Sequence, residues 1–317
     1  MNIDRLGWNV HVVSDPRHPK AGDVDRVADW IVREAGFDME AARLVENVRV
    51  TVESMRGGAR RMHVAVPDVP GDAQTLRQGE AIRSSVRTWP LCPAPIDAAL
   101  VTSFTVRPDG TVCDEAVETG ELTGDPASAD VLVLANRANL HFLSDRGYPW
   151  LGRTPSPLDW EKLRTHAIRY GVFPAEKMEA GPLTVGGSMV HATEPQMHAA
   201  DLVTQQLLKA AMAGLPSPYG AAELAALAEH FNEREKVARE VEARIEACAG
   251  AARAAQHVGE RCPGRVDTVT PLGATVHLDL GADGFLPHRM VRLNEYVTVT
   301  VTDVDFEKGF VQVALCA

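Results

Sequence analysis

Residues 221–256 hold apolar side chains at helical spacing without interruption, and the pattern then switches to short alternating segments. Leu224, Leu227, Phe231, Ala238, Val241, Ile245 and Ala252 share one side of the stretch, with Glu and Arg between them. At about 1.5 Å per residue, an unbroken helix Ala221–Gln256 reaches roughly 50 Å and reads as a packing strut. Five short segments follow: Gly264–Val269, Ala274–Leu280, Gly284–Pro287, Tyr296–Val304 and Phe310–Ala314, separated by Gly or Asp turns. Five short strands in about sixty residues fit a small Greek-key barrel of the OB type.

The part before the strut mixes both periods. Val10 to Val13 reads as a strand, Asp15-Pro16 and His18-Pro19 as loop, and Val24 to Ala35 as an amphipathic helix ending at Gly36. From Val48 to Val69 the period is two, with a turn at Gly57-Gly58, so a β-hairpin is expected. Ser103–Val112 reads as a strand with a turn at Pro108-Asp109-Gly110, and residues 119–129 as loop. Helices are expected at Ala129–Arg146, Asp159–Tyr170 and Ala199–Ala213.

Composition narrows the function classes. The net charge of −11 argues against strong non-specific nucleic-acid binding, which rests on Lys and Arg neutralising phosphates, but leaves room for a local basic groove. The five cysteines, Cys92, Cys113, Cys248, Cys262 and Cys316, are odd in number and lack CxxC spacing. They read as thiols of a reducing cytoplasm. No apolar run is long enough for a membrane span, and MNIDRLGWNV does not read as a signal peptide. HExxH, zinc-type Cys/His spacing, GxxxxGK[ST] and GxSxG are all missing. Gly186-Gly187-Ser188 reads as a backbone turn.

Two segments carry a resemblance. Val133–Arg169 reads VLANRANLHFLSDRGYPWLGRTPSPLDWEKLRTHAIR, and Val190–Leu208 reads VHATEPQMHAADLVTQQLL. They resemble the motifs LLANxxVAxxLxxxGxPxLYRxHExP and HFTSPIRRYxDLxVHRxL of the ribonuclease II/R family, in the C-terminal half of its RNB catalytic domain. MHVAVPDV is similar to a family strand, and NEREKVAREVEARIE to the helix that closes that domain. The final segment resembles the RNA-binding barrel of ribosomal S-one type that commonly ends such proteins. The resemblance implies an α+β fold: an N-terminal segment 1–37, a shortened RNB-like domain 38–257, and an OB-type barrel 258–317.

It also implies site residues. The family's clustered acidic motif DxxxxxDxDD, which binds divalent metal, falls here on Asp38, Leu44, Glu46 and Asn47. An upstream run, Asp15, Asp23 and Asp25, is an alternative alignment with the wrong spacing. Hard cations need carboxylate oxygens, so leucine and asparagine weaken the set. No metal is expected, with Asp38 and Glu46 as the remaining ligands if there is one. Met197 stands where the family uses an arginine at the scissile phosphate, and Glu194 adds negative charge there. His198 is adjacent, and Glu242 matches a glutamate near the closing helix. Trp89 lies near a base-stacking position. Arg83, Arg87 and, in the barrel, His288 and Arg289 are the nearest candidates for RNA contact, with Arg56, Arg60, Arg61 and Arg292 as further basic positions. Leu272 and Thr275 stand where the barrel often carries aromatics.

Three functions compete on this reading. The first is a catalytically degenerate relative that binds RNA, or an RNA 3′ end such as that of tRNA. The second is a repurposed enzyme acting on the aminoacyl ester of a tRNA 3′ end, by hydrolysis or transfer, with His191, His198, Glu194 or Glu46 as its working groups. The third is a residual 3′→5′ exoribonuclease, the one case that requires Mg²⁺. The expected partner is RNA, with no DNA specificity and no membrane; the sequence names no protein partner.

Overall fold

The computed structural model describes residues 15–20, 22–42, 48–92, 98–155, 180–287 and 291–316. The expected strand Val10–Val13 and helix Asp159–Tyr170 lie outside them, as do Leu44, Glu46, Asn47, His288 and Arg289.

Helix α1 (Asp23–Glu34) comes first among these elements, and it buries Val27, Ala28, Ile31 and Val32. A sheet follows. Strand β1 (Arg49–Ser54) turns through a short 3₁₀ segment at Arg56–Gly58 into β2 (Arg60–Pro67), pairing Val50 with Val64. Gly57 takes φ 78°, which a side chain disfavours, so the Gly-Gly tip makes the turn. Helix α2 (Ala73–Gln78) and the small hairpin β3 (Ile82–Arg83) with β4 (Thr88–Trp89) come next.

Ser103–Val112, read as a strand with a turn at Pro108-Asp109-Gly110, holds the end of one strand and that turn, which joins two longer strands into a hairpin. Strand β5 (Ala98–Val106) pairs antiparallel with β6 (Val112–Glu121), and β7 (Asp125–Pro126) pairs back on β1. Residues 119–121, expected as loop, are the end of β6; Thr119 pairs with Leu100 and Gly120 with Ala99. Their polarity reflects an exposed outer strand rather than a loop. The sheet order is β6-β5-β2-β1-β7. Helix α3 (Ala129–Ser144) packs Ala135 and Ala138 on Val64, Val66 and Phe104 of that sheet. Strands β8 (Leu151–Pro155) and β9 (Ala180–Val185) pair antiparallel and were not expected from the sequence.

Helix α4 (Ala199–Met212) is almost wholly buried, and α5 (Ala221–Ala255) is the long strut. Leu224, Ala228 and Phe231 of α5 join a core with Leu202, Leu207 and Leu208 of α4. Further along, Ala238, Val241, Ile245 and Cys248 join a second core with α1 and the barrel. That barrel is closed, in the order β10-β11-β12-β14-β13, from β10 (Arg261–Thr270), β11 (Gly273–Leu278), β12 (Ala282–Pro287), β13 (Tyr296–Asp305) and β14 (Phe310–Leu315). The fold is therefore a mixed α/β domain with an antiparallel sheet, followed by a five-stranded barrel, as the sequence implies. Among the described residues, no helix is long and apolar enough to cross a membrane.

Candidate functional site

The segment between β9 and α4 is fixed from three sides. Asn136 of α3 accepts from Ala192 N through Oδ1 at 2.9 Å, which ties the first resembling motif to the second. Leu91 N donates to Gln196 O at 2.8 Å. The chain around Glu80 pairs with the chain around His198: Ala81 N donates to Met197 O at 2.8 Å and Ala199 N to Gly79 O at 2.9 Å. His198 is the N-cap of α4, in extended backbone conformation.

This scaffold brings four carboxylates around one imidazole. His198 Nδ1 lies 2.6 Å from Glu80 Oε1, off the line of a well-formed hydrogen bond, and its Nε2 lies 3.6 Å from Glu194 Oε2. Both contacts are best described as ion pairs. Burial alone would depress the His198 pKa, but Glu194 and Glu80, with buried Asp201 beyond them, hold it well above the ordinary imidazole value. The direction of the shift favours the imidazolium form of His198. Glu194 is half-exposed, and His198 holds its carboxyl below the usual range. Glu80 is pushed upward by burial, only partly offset by His198. Asp201 is 1% exposed, and burial raises its pKa too; its Oδ2 accepts from Glu194 N at 2.8 Å. Glu242 comes in from α5, accepts from Arg83 N at 2.7 Å, and is likewise raised by burial.

Of the sequence candidates, then, His191, Glu194, His198 and Glu242 are brought together, with Arg83 alongside, while Asp38 is exposed and its N–H donates to Gln78 Oε1 at 3.3 Å. Arg87 is engaged by α1: Nε donates to Asp25 at 3.0 Å and Nη1 to Asp29 at 3.3 Å. Trp89 is 1% exposed in the core, and its indole N–H donates to Asp29 at 3.2 Å, so its faces are covered by protein. Met197 is 6% exposed and packs in the core around α4. Sequence reasoning missed Glu80, Asp201 and Gln205. Asp201 stands at the aspartate of the motif HFTSPIRRYxDL, a signal that was available; Glu80 is a lone glutamate made important only by strand pairing.

Among the described residues no set of three or more His, Cys, Asp or Glu side chains is arranged to hold a metal ion.

No family model matches this chain, and no curated protein matches it. Solved structures do. Ribonuclease R of Mycoplasma genitalium, in complex with ribose-methylated single-stranded RNA, superposes with a TM-score of 0.67 at 10% identity, over 88% of this chain and 71% of that one. The Dss1 exoribonuclease of Candida glabrata gives 0.66 at 12% identity, over 88% of this chain and 54% of that one. Yeast Ssd1, described as a pseudonuclease, gives 0.57 at 11% identity, over 90% and 57%. At such identities the likeness is one of fold, shared by nucleases and a pseudonuclease alike.

Proposed function

We propose that this protein binds the 3′ end of an RNA on its ribonuclease R-like fold and does not shorten it. The observation that carries this reading is Met197, buried in the core where the resembling motif has an arginine, beside a site built of carboxylates. A phosphodiester in transition needs cations; this site offers four acidic groups. RNA-bound ribonuclease R shares the fold, which supports RNA as the partner.

A second reading is favoured by the placement of His198 between Glu80 and Glu194. Here the protein acts on the aminoacyl ester of a tRNA 3′ end. Attack on an ester carbonyl needs a donor for the developing oxyanion and an acceptor for the nucleophile's proton. The His198 imidazolium is such a donor. Glu194, ionised and half-exposed, takes the proton from an attacking water or amine. As the tetrahedral intermediate collapses, the ribose oxygen leaves and takes up the proton that Glu194 had accepted.

The test incubates the protein with 3′-labelled single-stranded RNA and, in parallel, with aminoacylated bulk tRNA, each with and without Mg²⁺ and Mn²⁺. Retention of intact RNA supports the binding reading. Loss of the aminoacyl group from intact tRNA establishes the second. Metal-dependent shortening overturns both and restores a nuclease.

A further inference from the structure

Positive charge and hydrogen-bond donors are both short where α4 begins. Glu80, Glu194, Asp201 and Glu242 all lie within electrostatic reach of His198. Against them stand His198 itself, His191, and Arg83 on an exposed position; Arg239 also acts on Glu242 but is paired with Glu235 at 3.3 Å.

The donor shortage is independent of the charge count. Asp201 Oδ1 is buried and has no hydrogen-bond partner. Gln205, one turn further along α4, is 1% exposed; its Nε2 donates to Pro67 O at 2.9 Å, but its Oε1 has no partner. Turning that amide round would leave Pro67 O facing an acceptor, so a flip does not cure the deficit. His191 Nε2 is buried and unpaired as well, as donor or acceptor according to its protonation. Residues 201 and 205 are i,i+4 neighbours, one turn apart on the same face of α4. Buried acceptors without donors are destabilising, and a native site usually supplies a partner.

Three chemistries could fill the gap. A phosphate brings acceptors and negative charge, which worsens both shortages. Water brings donors without charge. A primary ammonium brings three donors and a positive charge. We infer that this cluster binds a primary ammonium group, with Asp201 Oδ1 and Gln205 Oε1 as hydrogen-bond acceptors and Glu80 and Glu194 as neutralising charges. The inference rests on the aminoacyl-ester reading and narrows it: the substrate keeps a free α-amine, and N-blocked aminoacyl groups are excluded. The carboxyls that burial holds above their ordinary range, Glu80, Asp201 and Glu242, are those a bound cation would restore to the charged form.

The experiment titrates the full chain with puromycin, an adenosine-like nucleoside joined to an amino acid with a free α-ammonium. Parallel arms use N-acetylpuromycin, O-methyltyrosinamide (the same ammonium without the nucleoside), and a short single-stranded RNA. Puromycin is expected to bind about tenfold or more tightly than its acetylated form, since charge-assisted hydrogen bonds are lost. Asp201→Asn and Glu80→Gln should each reduce that preference to about twofold or less. On the unaltered protein, methylammonium should displace puromycin, while tetramethylammonium, charged but without N–H donors, should not. Equal binding of puromycin and N-acetylpuromycin, or displacement by both cations alike, overturns the ammonium site and leaves RNA binding to be judged by the RNA arm. If O-methyltyrosinamide binds as tightly as puromycin, the ammonium site stands and the aminoacyl-ester reading fails.

Discussion

Glu80 and His198 are joined twice: their backbones form an isolated antiparallel bridge, and their side chains meet at 2.6 Å. The backbone pairing sets the position and the side-chain pairing sets the charge. Glu80→Gln should therefore keep the fold and lower the His198 pKa, read by NMR titration of the imidazole. The sign of the pH effect follows. A histidine whose folded pKa is raised adds stability that is fully present below its unfolded value of about 6.5 and is lost as pH rises through the folded value. Thermal stability of the native chain should thus decline on the alkaline side of neutrality. In Glu80→Gln that decline should be smaller and should be complete at lower pH. An unshifted titration would mean that the pair does not carry the charge.

Met197 is a test of whether the chain can be turned back into a nuclease. Met197→Arg places a guanidinium in a core lined by Leu202 and Leu208, and should cost several kcal/mol in urea denaturation without restoring metal-dependent cleavage. Met197→Leu should cost less than about 1.5 kcal/mol. Gain of nuclease activity in Met197→Arg would show that the side chain reaches the RNA path.

Arg87 is expected to act within the protein rather than on RNA. Its guanidinium is shared by Asp25 and Asp29, about a third exposed. Arg87→Ala should lower stability by about 1 kcal/mol or less and leave RNA affinity within about twofold. A steep fall in affinity, with a flatter salt dependence, would return Arg87 to the RNA-contact set.

Gly152 and Gly187 touch backbone to backbone. A β-carbon on Gly187 would lie 2.3 Å from the Gly152 carbonyl, and Trp150 Nε1 donates to Gly187 O at 2.9 Å. Gly187→Ala should cost about 1–3 kcal/mol, read from thermal or denaturant midpoints, because a strand pair must move apart. The Gly-Gly-Ser turn thus holds β8 close to the chain that leads to His191.

What could be read from the sequence was whatever rests on local period. The strut, the Gly57-Gly58 hairpin and the barrel strands all follow from spacing of apolar residues and turn chemistry. Strand β6 was hidden because Thr119, Gly120 and Glu121 are polar on an exposed edge. Strands β8 and β9 were hidden because they are short and pair across a long stretch of chain. The site was half legible. Glu194, His198 and Glu242 could be placed by motif, but Glu80 reaches His198 only through strand pairing, which no spacing reveals. Trp89 and Arg87 are RNA-contact candidates by side-chain type; in the fold both bond to α1, about sixty residues away in sequence, which no spacing reveals.

Helix α5 belongs to two cores at once, the one around α4 and the one inside the barrel and α1. A rod shared in this way transmits instability. Melting the barrel would strip the apolar cover from the distal half of the helix; fraying that half would loosen Glu242, which lies within it, and Arg153's partner Glu235, which sits between the cores. The two parts that look separable along the chain are therefore expected to unfold as one cooperative unit, so that damage at the barrel reaches the surroundings of His198.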